Sequence, residues 1–211
     1  MSSIIIPVRH GLIMAIVALI FGAMWAGFLA TNHETLHGRF EAQDQARQAQ
    51  EMNMSGMDLG HPHATGDAHS HGEEDPGHGA DEQHSHSGSL PQDAMQRLLR
   101  GHIHFMGLGV LAASLLLITA FTSLKSGWKK LLGWTFGIGA LAYPPAWIMM
   151  GFRTVELGPQ AAEASVMWLF GPAVGLLLAS MIAVVGVLII ELSGMNRRIS
   201  FLSRFFEPAE S

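Results

Sequence analysis

The stretch GLIMAIVALIFGAMWAGFLATN, residues 11–32, contains no charged side chain and decides the class of this protein. Its 22 residues match the roughly 20 helical residues that cross the hydrocarbon core of a membrane. The run exceeds the roughly 7–15 apolar residues of a cleaved signal peptide, and no small-residue cleavage motif clearly follows it. We therefore interpret it as a signal anchor that remains in the membrane.

Three further uncharged runs of similar length follow, at residues 105–124, 131–152 and 165–190. In lipid each backbone amide must find a partner within its own segment, so these runs can only be helical. The sequence thus predicts an all-α integral membrane protein, a bundle of four transmembrane helices. Pro144 and Pro145 lie inside the third run and predict a kink or break there.

The composition supports this class and limits the chemistry. Only 14% of the residues are charged, against about 25% in soluble domains. The charge is uneven, since residues 38–100 hold eleven acidic residues and four arginines, a net charge of −7. The chain has no cysteine, which excludes thiolate metal sites, disulfides and thiol catalysis. We expect membrane lipid as a partner and no nucleic acid.

Lysines and arginines in the short flanks predict the orientation of the helices. They lie before the first run, between the second and third, and in the C-terminal tail: Arg9, Lys125, Lys129, Lys130, Arg197, Arg198 and Arg204. Because cytoplasmic flanks are enriched in positive charge, we expect both termini in the cytoplasm of a bacterium and a multi-pass protein of its inner membrane. The chain then divides into a first helix with its interfacial end (1–37), a periplasmic loop (38–100) and helices two to four with a short cytoplasmic tail (101–211).

The loop itself has two parts. Residues 33–52 are rich in helix formers and are expected to continue the first helix beyond the membrane. Residues 53–90 are rich in Gly, His, Asp and Ser without apolar periodicity, which predicts disorder in the absence of a ligand. Pro91, Gln92 and Asp93 are typical of a helix start and indicate a lead-in to the second span.

Metal ligands are concentrated in this second part. Met52, Met54 and Met57 precede seven histidines. Six of these form His-x-His pairs, namely His61 and His63, His69 and His71, and His84 and His86. In an extended chain residues i and i+2 share a face, so that each pair can chelate one ion. Imidazole suits copper, zinc and nickel whereas thioether selects Cu(I); the pattern favours a copper ion, with zinc as the alternative.

A second group of candidate ligands flanks the loop. His33, Glu34 and His37 form an HExxH motif, which on a helix places both histidines on one face, as in zinc metalloproteases. His102 and His104 open the second span. On a helix, residues i and i+2 point in directions about 200° apart, so these two histidines cannot both face one ion.

Met106 shares a helix face with His102, because residues i and i+4 are neighbours on a helix. With the predicted orientation all these groups should meet at one depth, on the outer rim of the bundle. We expect a metal site at that rim.

Three functions remain open on this evidence. The first is a metal-handling membrane protein that captures an ion with the loop and holds or hands it over at the rim, for transport or delivery. The second is a redox subunit whose rim histidines bind haem b or copper, working with other membrane subunits or a periplasmic metal or electron carrier. The third is a membrane zinc protease with Glu34 as general base, which needs a third ligand such as Glu156 or Glu163.

Overall fold

The computed structural model describes residues 2–57, 89–195 and 201–207. Its elements are a short helix α1 (Ser2–Ile5), a 3-10 turn (Ile6–Val8), four long helices and a second 3-10 turn (Leu202–Arg204). The long helices are α2 (Arg9–Met57), α3 (Leu90–Ala120), α4 (Ser126–Leu157) and α5 (Pro159–Leu192). No strand forms among the described residues, and the predicted all-α class is confirmed.

Three of these helices, α2, α3 and α5, are long and apolar enough to cross a membrane. This indicates a membrane protein. Helix α4 is similar in length to α3 and α5, but its proline, tyrosine, tryptophan and several glycine residues leave it without a stretch as apolar as those of the other three. It is also the central helix, with thirteen buried residues.

The packing follows from that central position. Helices α2, α3 and α4 pack against one another, while α5 lies along α4 and makes only a small contact with α3. The largest apolar cluster joins all four helices through residues such as Ala15, Leu116, Phe136 and Leu177. The arrangement is thus a three-helix core with a fourth helix along its edge.

Helices α2 and α4 come close because both carry glycine where they cross. A Cβ atom on Gly11 would lie 2.6 Å from the carbonyl oxygen of Gly133, so the backbones are nearly in contact. Small residues permit such approach between helices in lipid, where packing rather than water exclusion holds them together.

Of the kink or break expected at Pro144 and Pro145, the break does not occur, because α4 continues through both residues. Pro144 is buried against the neighbouring helices. Helices packed in this way tolerate proline, since their neighbours and small adjustments compensate for the lost hydrogen bonds.

The bundle has two distinct ends. We call the end with Lys125, Lys129, Lys130 and Arg204 the basic end. There the buried Lys129 Nζ donates to the carbonyl oxygens of Ala120 and Thr122 at 2.9 and 2.7 Å, which caps α3.

We call the opposite end, where His33 and His37 lie, the histidine end. There α4 and α5 are joined by Gly158 alone. Its φ of 79° lies in the region that favours glycine. Helix α2 continues to Met57, so that residues 53–57, expected to be disordered, are helical. The expected disordered segment also includes Leu90, which already belongs to α3. Its residues 58–88 lie outside the described residues.

The start of α3 agrees with the sequence signal. The helix begins at Leu90 with Pro91 in its first turn, and the amide of Gln92 donates to the carbonyl oxygen of Ser89 at 2.9 Å. Asp93 pairs with Arg97 one turn later, at 2.9 Å.

Candidate metal-binding groove

A groove of about 810 Å³ runs between α2 and α3 at the histidine end. One helix face of α2 forms its first wall, because residues three or four apart share a face. A face of α3 forms the second. The lining residues are Ala26, Leu29, Ala30, His33 and His37 from α2, and Ser89, Gln92, Met95, Gln96, Leu99 and His102 from the α3 side.

His102 occupies the inner part of this groove, where its ring is fixed by α2. Its Nδ1 lies 2.9 Å from the carbonyl oxygen of Gly22. A carbonyl oxygen only accepts, so Nδ1 carries the hydrogen and the neutral ring keeps the lone pair of Nε2. A backbone carbonyl that fixes the tautomer in this way is the usual partner of a metal-binding histidine.

Met106, which was expected to share a helix face with His102, also packs against Gly22. A Cβ on Gly22 would lie 2.9 Å from the Sδ atom of Met106. The imidazole and the thioether therefore both contact one residue of α2, and the expected shared face of His102 and Met106 is confirmed.

The histidines of the HExxH motif line the outer part of the groove. The rings of His33 and His37 have centroids 6.2 Å apart, as expected for one helix face. His37 Nδ1 lies 3.2 Å from the carboxylate of Glu41. Glu34 is exposed and is not part of the groove lining.

The prediction that all these groups meet at one depth is wrong. His102 is bonded to Gly22, eleven residues before His33 and thus roughly 16 Å away along the axis of α2. The reason is that α3 begins at Leu90, so its first twelve residues run antiparallel along α2 before reaching His102. The histidines mark the two ends of a groove instead of a single rim site.

His104 faces away from the groove, toward α4. Its ring lies 4.9 Å from that of Tyr143 and 5.7 Å from that of Trp147. The guanidinium of Arg100 lies over the same Trp147 ring, at 5.2 Å. The expected divergence of His102 and His104 is confirmed, and His104 belongs to an aromatic cluster between helices.

No group of three His, Asp or Glu side chains lies close enough to hold a metal ion within the part of the chain that the structure describes. The histidines of the predicted chelating pairs lie outside the described residues. They are His61, His63, His69, His71, His84 and His86.

The two carboxylates considered as a third protease ligand lie elsewhere. Glu156 lines a separate pocket with Gln43 and Gln50 of α2, roughly two to four helical turns beyond His37. Glu163 is exposed on α5, which packs on the far side of α4.

Sequence reasoning missed Gln92, Met95 and Gln96 as lining residues, and Gly22 as the partner of His102. The signal was present in the helix start at Pro91: continuing the helix from there places Met95 and His102 seven residues apart, on one face. The groove carries the functional argument by itself, since no protein-family model, curated protein or solved structure matches this chain.

Proposed function

We propose that this chain is a transition-metal-binding protein of a bacterial inner membrane, with copper favoured over zinc. The methionines at the end of α2 and the histidine-rich segment that follows them capture the ion from the periplasm. The groove between α2 and α3 then holds it for transport or for delivery to a partner. Helix α4 is the fourth span, and both termini lie in the cytoplasm.

The observation that carries the proposal is the ring of His102. It is half-buried at the inner end of a groove, and its Nδ1 is held by a backbone carbonyl. This arrangement orients Nε2 and raises its basicity toward a metal. A purely structural histidine would need only the hydrogen bond and not the groove.

The length of the chain supports transfer from the capturing segment to the groove. Residues 58–88 join Met57, the end of α2, to Ser89, which lines the groove. Met57 lies twenty residues beyond His37, or roughly 30 Å along the helix. A segment of this length spans up to roughly 100 Å when extended, so its seven histidines are within reach of His33 and His37.

The choice of copper rests on the available ligands. At the inner end of the described groove His102 offers an imidazole, with the thioether of Met106 beside it, and at the outer end His33 and His37 offer two more imidazoles. The thioether of Met95 also lines the groove. Thioether ligands select Cu(I), whereas zinc sites use thiolate, imidazole or carboxylate. The described lining of the groove contains no carboxylate, and this favours Cu(I) over zinc.

The alternatives find less support in this arrangement. A bis-histidine haem requires two histidines facing one another at one depth, whereas His33 and His102 are roughly 16 Å apart along the helix. A HExxH zinc protease requires a third ligand, and neither Glu156 nor Glu163 lies beside His33 and His37.

The test is metal binding by the purified protein with substitutions that retain chain length. In the groove variant His33, His37 and His102 are each changed to Gln; in the loop variant all seven loop histidines are changed to Gln. His104→Gln is the matched control, because it removes a histidine of the same helix that faces α4. Affinity for Cu(I) is measured by competition with a chromophoric chelator, and an optical spectrum is recorded for each protein.

We expect the groove variant, and His102→Gln alone, to lose at least roughly tenfold in affinity, as seen when metal-site residues are changed. The loop variant should bind fewer ions in total and keep the tight one, and His104→Gln should match the wild type. Equal affinity in His102→Gln and wild type would overturn the assignment. A Soret band in the purified protein would support the haem alternative instead.

A further inference from the structure

A second groove, of about 520 Å³, lies at the basic end between α4 and α5. No third long helix contributes to its described lining. Its wall is almost wholly apolar, with the hydrogen-bonded hydroxyls of Ser180 and Thr135, 2.9 Å apart, as the polar exception. Lining residues include Leu131, Leu176, Ala183, Gly186, Val187 and Ile190.

The C-terminal segment closes one end of this groove with apolar side chains, among them Phe201 and Phe205. The segment is fixed to the turn between α3 and α4. The amide of Lys125 donates to the carbonyl oxygen of Phe205 at 2.9 Å, and the amide of Glu207 donates to that of Ser123 at 2.8 Å. The closed end is therefore held in place by backbone hydrogen bonds on both sides of Phe206.

Positive charge surrounds the same end. The ammonium of Lys125 lies 2.8 Å from the carbonyl oxygen of Arg204, which is exposed between the lining residues Leu202 and Phe205. Lys129 and Lys130 lie one turn further along α4.

Two carboxylates offset part of this charge. Glu191 accepts a hydrogen bond from the amide of Ser123 at 2.7 Å, and Glu207 is exposed. Trp128 lines the groove, half exposed, with its ring 5.2 Å from that of Phe205. An amphipathic tryptophan at this position is typical of a membrane–water interface.

We propose that this groove binds one acyl chain of an anionic phospholipid, whose head group lies at Lys125 and Arg204. Basic pockets between helices at the cytoplasmic side of a membrane recognise anionic head groups, and an apolar groove open to lipid accepts a hydrocarbon chain. The site lies at the opposite end of the bundle from the metal groove. It does not depend on the metal-binding proposal.

The first experiment measures quenching of Trp128 fluorescence by phospholipids with brominated acyl chains. The protein is placed in vesicles that contain either brominated phosphatidylglycerol or brominated phosphatidylcholine in a non-brominated background. The difference between wild type and Trp128→Phe isolates the contribution of Trp128 from the other four tryptophans. We expect saturable quenching at a low fraction of the anionic lipid only, and equal quenching by both lipids would overturn the proposal.

Two pairs of variants locate the site. Gly186→Leu adds a side chain at the wall of the groove, at a position where nothing lies within 4 Å of the Cβ. Gly175→Leu has equal room but lies outside the groove lining, and is the matched control. Gly186→Leu should abolish the saturable quenching, and Gly175→Leu should retain it.

The second pair tests the charges. The double variant Lys125→Gln, Arg204→Gln should lower the preference for phosphatidylglycerol roughly tenfold. Each basic residue near an anionic lipid surface strengthens binding several-fold, and the double variant removes two of them. Arg9→Gln removes a positive charge from α2 at the same end of the bundle and should leave the preference unchanged. An equal loss in both proteins would assign the effect to general surface charge and would overturn the proposed head-group contact.

Discussion

Single glycine residues determine how closely the helices approach. Gly11 contacts the backbone of Gly133. Gly22 has no side chain, and this leaves room for His102 and Met106 to pack against the backbone of α2. Gly27 and Gly38 of the same helix, by contrast, have nothing within 4 Å of their Cβ positions. Glycines of α2 therefore fall into two groups that the sequence alone does not distinguish.

This difference predicts opposite effects of the same substitution at two sites of α2. Gly11→Ala would place a Cβ 2.6 Å from a backbone oxygen and from Leu116, and overpacking of this kind costs about 1–3 kcal/mol. Gly27→Ala should instead be neutral or stabilise the protein by up to about 1 kcal/mol, through its higher helix propensity. Thermal unfolding in detergent, followed by circular dichroism, compares the two, and equal stability of both variants would contradict the observed helix crossing.

At the scale of the element, α2 has two halves with different surroundings. Its first part presents exposed apolar side chains such as Ile13, Ile20 and Phe28, and the last buried residues of its core clusters are Leu36 and Phe40. Beyond Phe40 the described part of the helix is mostly exposed, up to Met52 and Met54. Packing against neighbouring helices, which stabilises the first half, is thus largely missing from the second.

We therefore expect the backbone amides of residues 44–54 to exchange with deuterium much faster than those of residues 12–36. Regions with few buried contacts open at a low free-energy cost, and the protection should differ by at least roughly tenfold. Hydrogen–deuterium exchange with mass spectrometry in detergent measures this, with the first turns of α3 as an internal reference. Uniform protection along α2 would mean that another part of the protein covers its second half.

At the scale of the whole molecule, α4 is the central helix of the bundle, although its hydropathy alone does not mark it as a membrane span. Its most apolar stretch is less apolar than those of the other three long helices, yet α4 contacts all of them, and α5 packs almost entirely on α4. A central helix has few side chains facing lipid and can therefore carry glycine, proline and tyrosine. This is the physical reason for the proposal that α4 is a fourth span beside the three helices that satisfy the hydropathy requirement.

Site-specific labelling can test that topology, because the chain has no native cysteine. Gln45→Cys in α2 and Gln160→Cys in α5 introduce exposed thiols at the histidine end, and Gly127→Cys introduces one at the basic end, where nothing lies within 4 Å. A membrane-impermeant maleimide added to intact spheroplasts should label the first two sites and reach Cys at position 127 only after permeabilisation. Labelling of Gln160→Cys and Gly127→Cys from the same side would show that α4 does not cross the membrane.

The sequence predicted the helical class and the start of α3 at Pro91, because charge-free runs and proline at a first turn act locally. It also predicted that His102 and His104 diverge, since this follows from helix geometry alone. It failed where distant segments meet. It did not predict that α4 continues through Pro144, and the single depth for His33 and His102 was wrong, because each depends on how neighbouring helices pack.

The apolar run at residues 11–32 thus determined by itself that α2 is a helix suited to a membrane, since the number of uncharged residues and the need to satisfy backbone amides leave no other form. What that helix contacts was decided only by the tertiary structure. The antiparallel packing of α3 on α2 bonds His102 to Gly22 and creates the groove that ends at His33 and His37. Such contacts join residues about eighty positions apart, and their geometry depends on side-chain fit across the interface, which no local pattern in the sequence encodes.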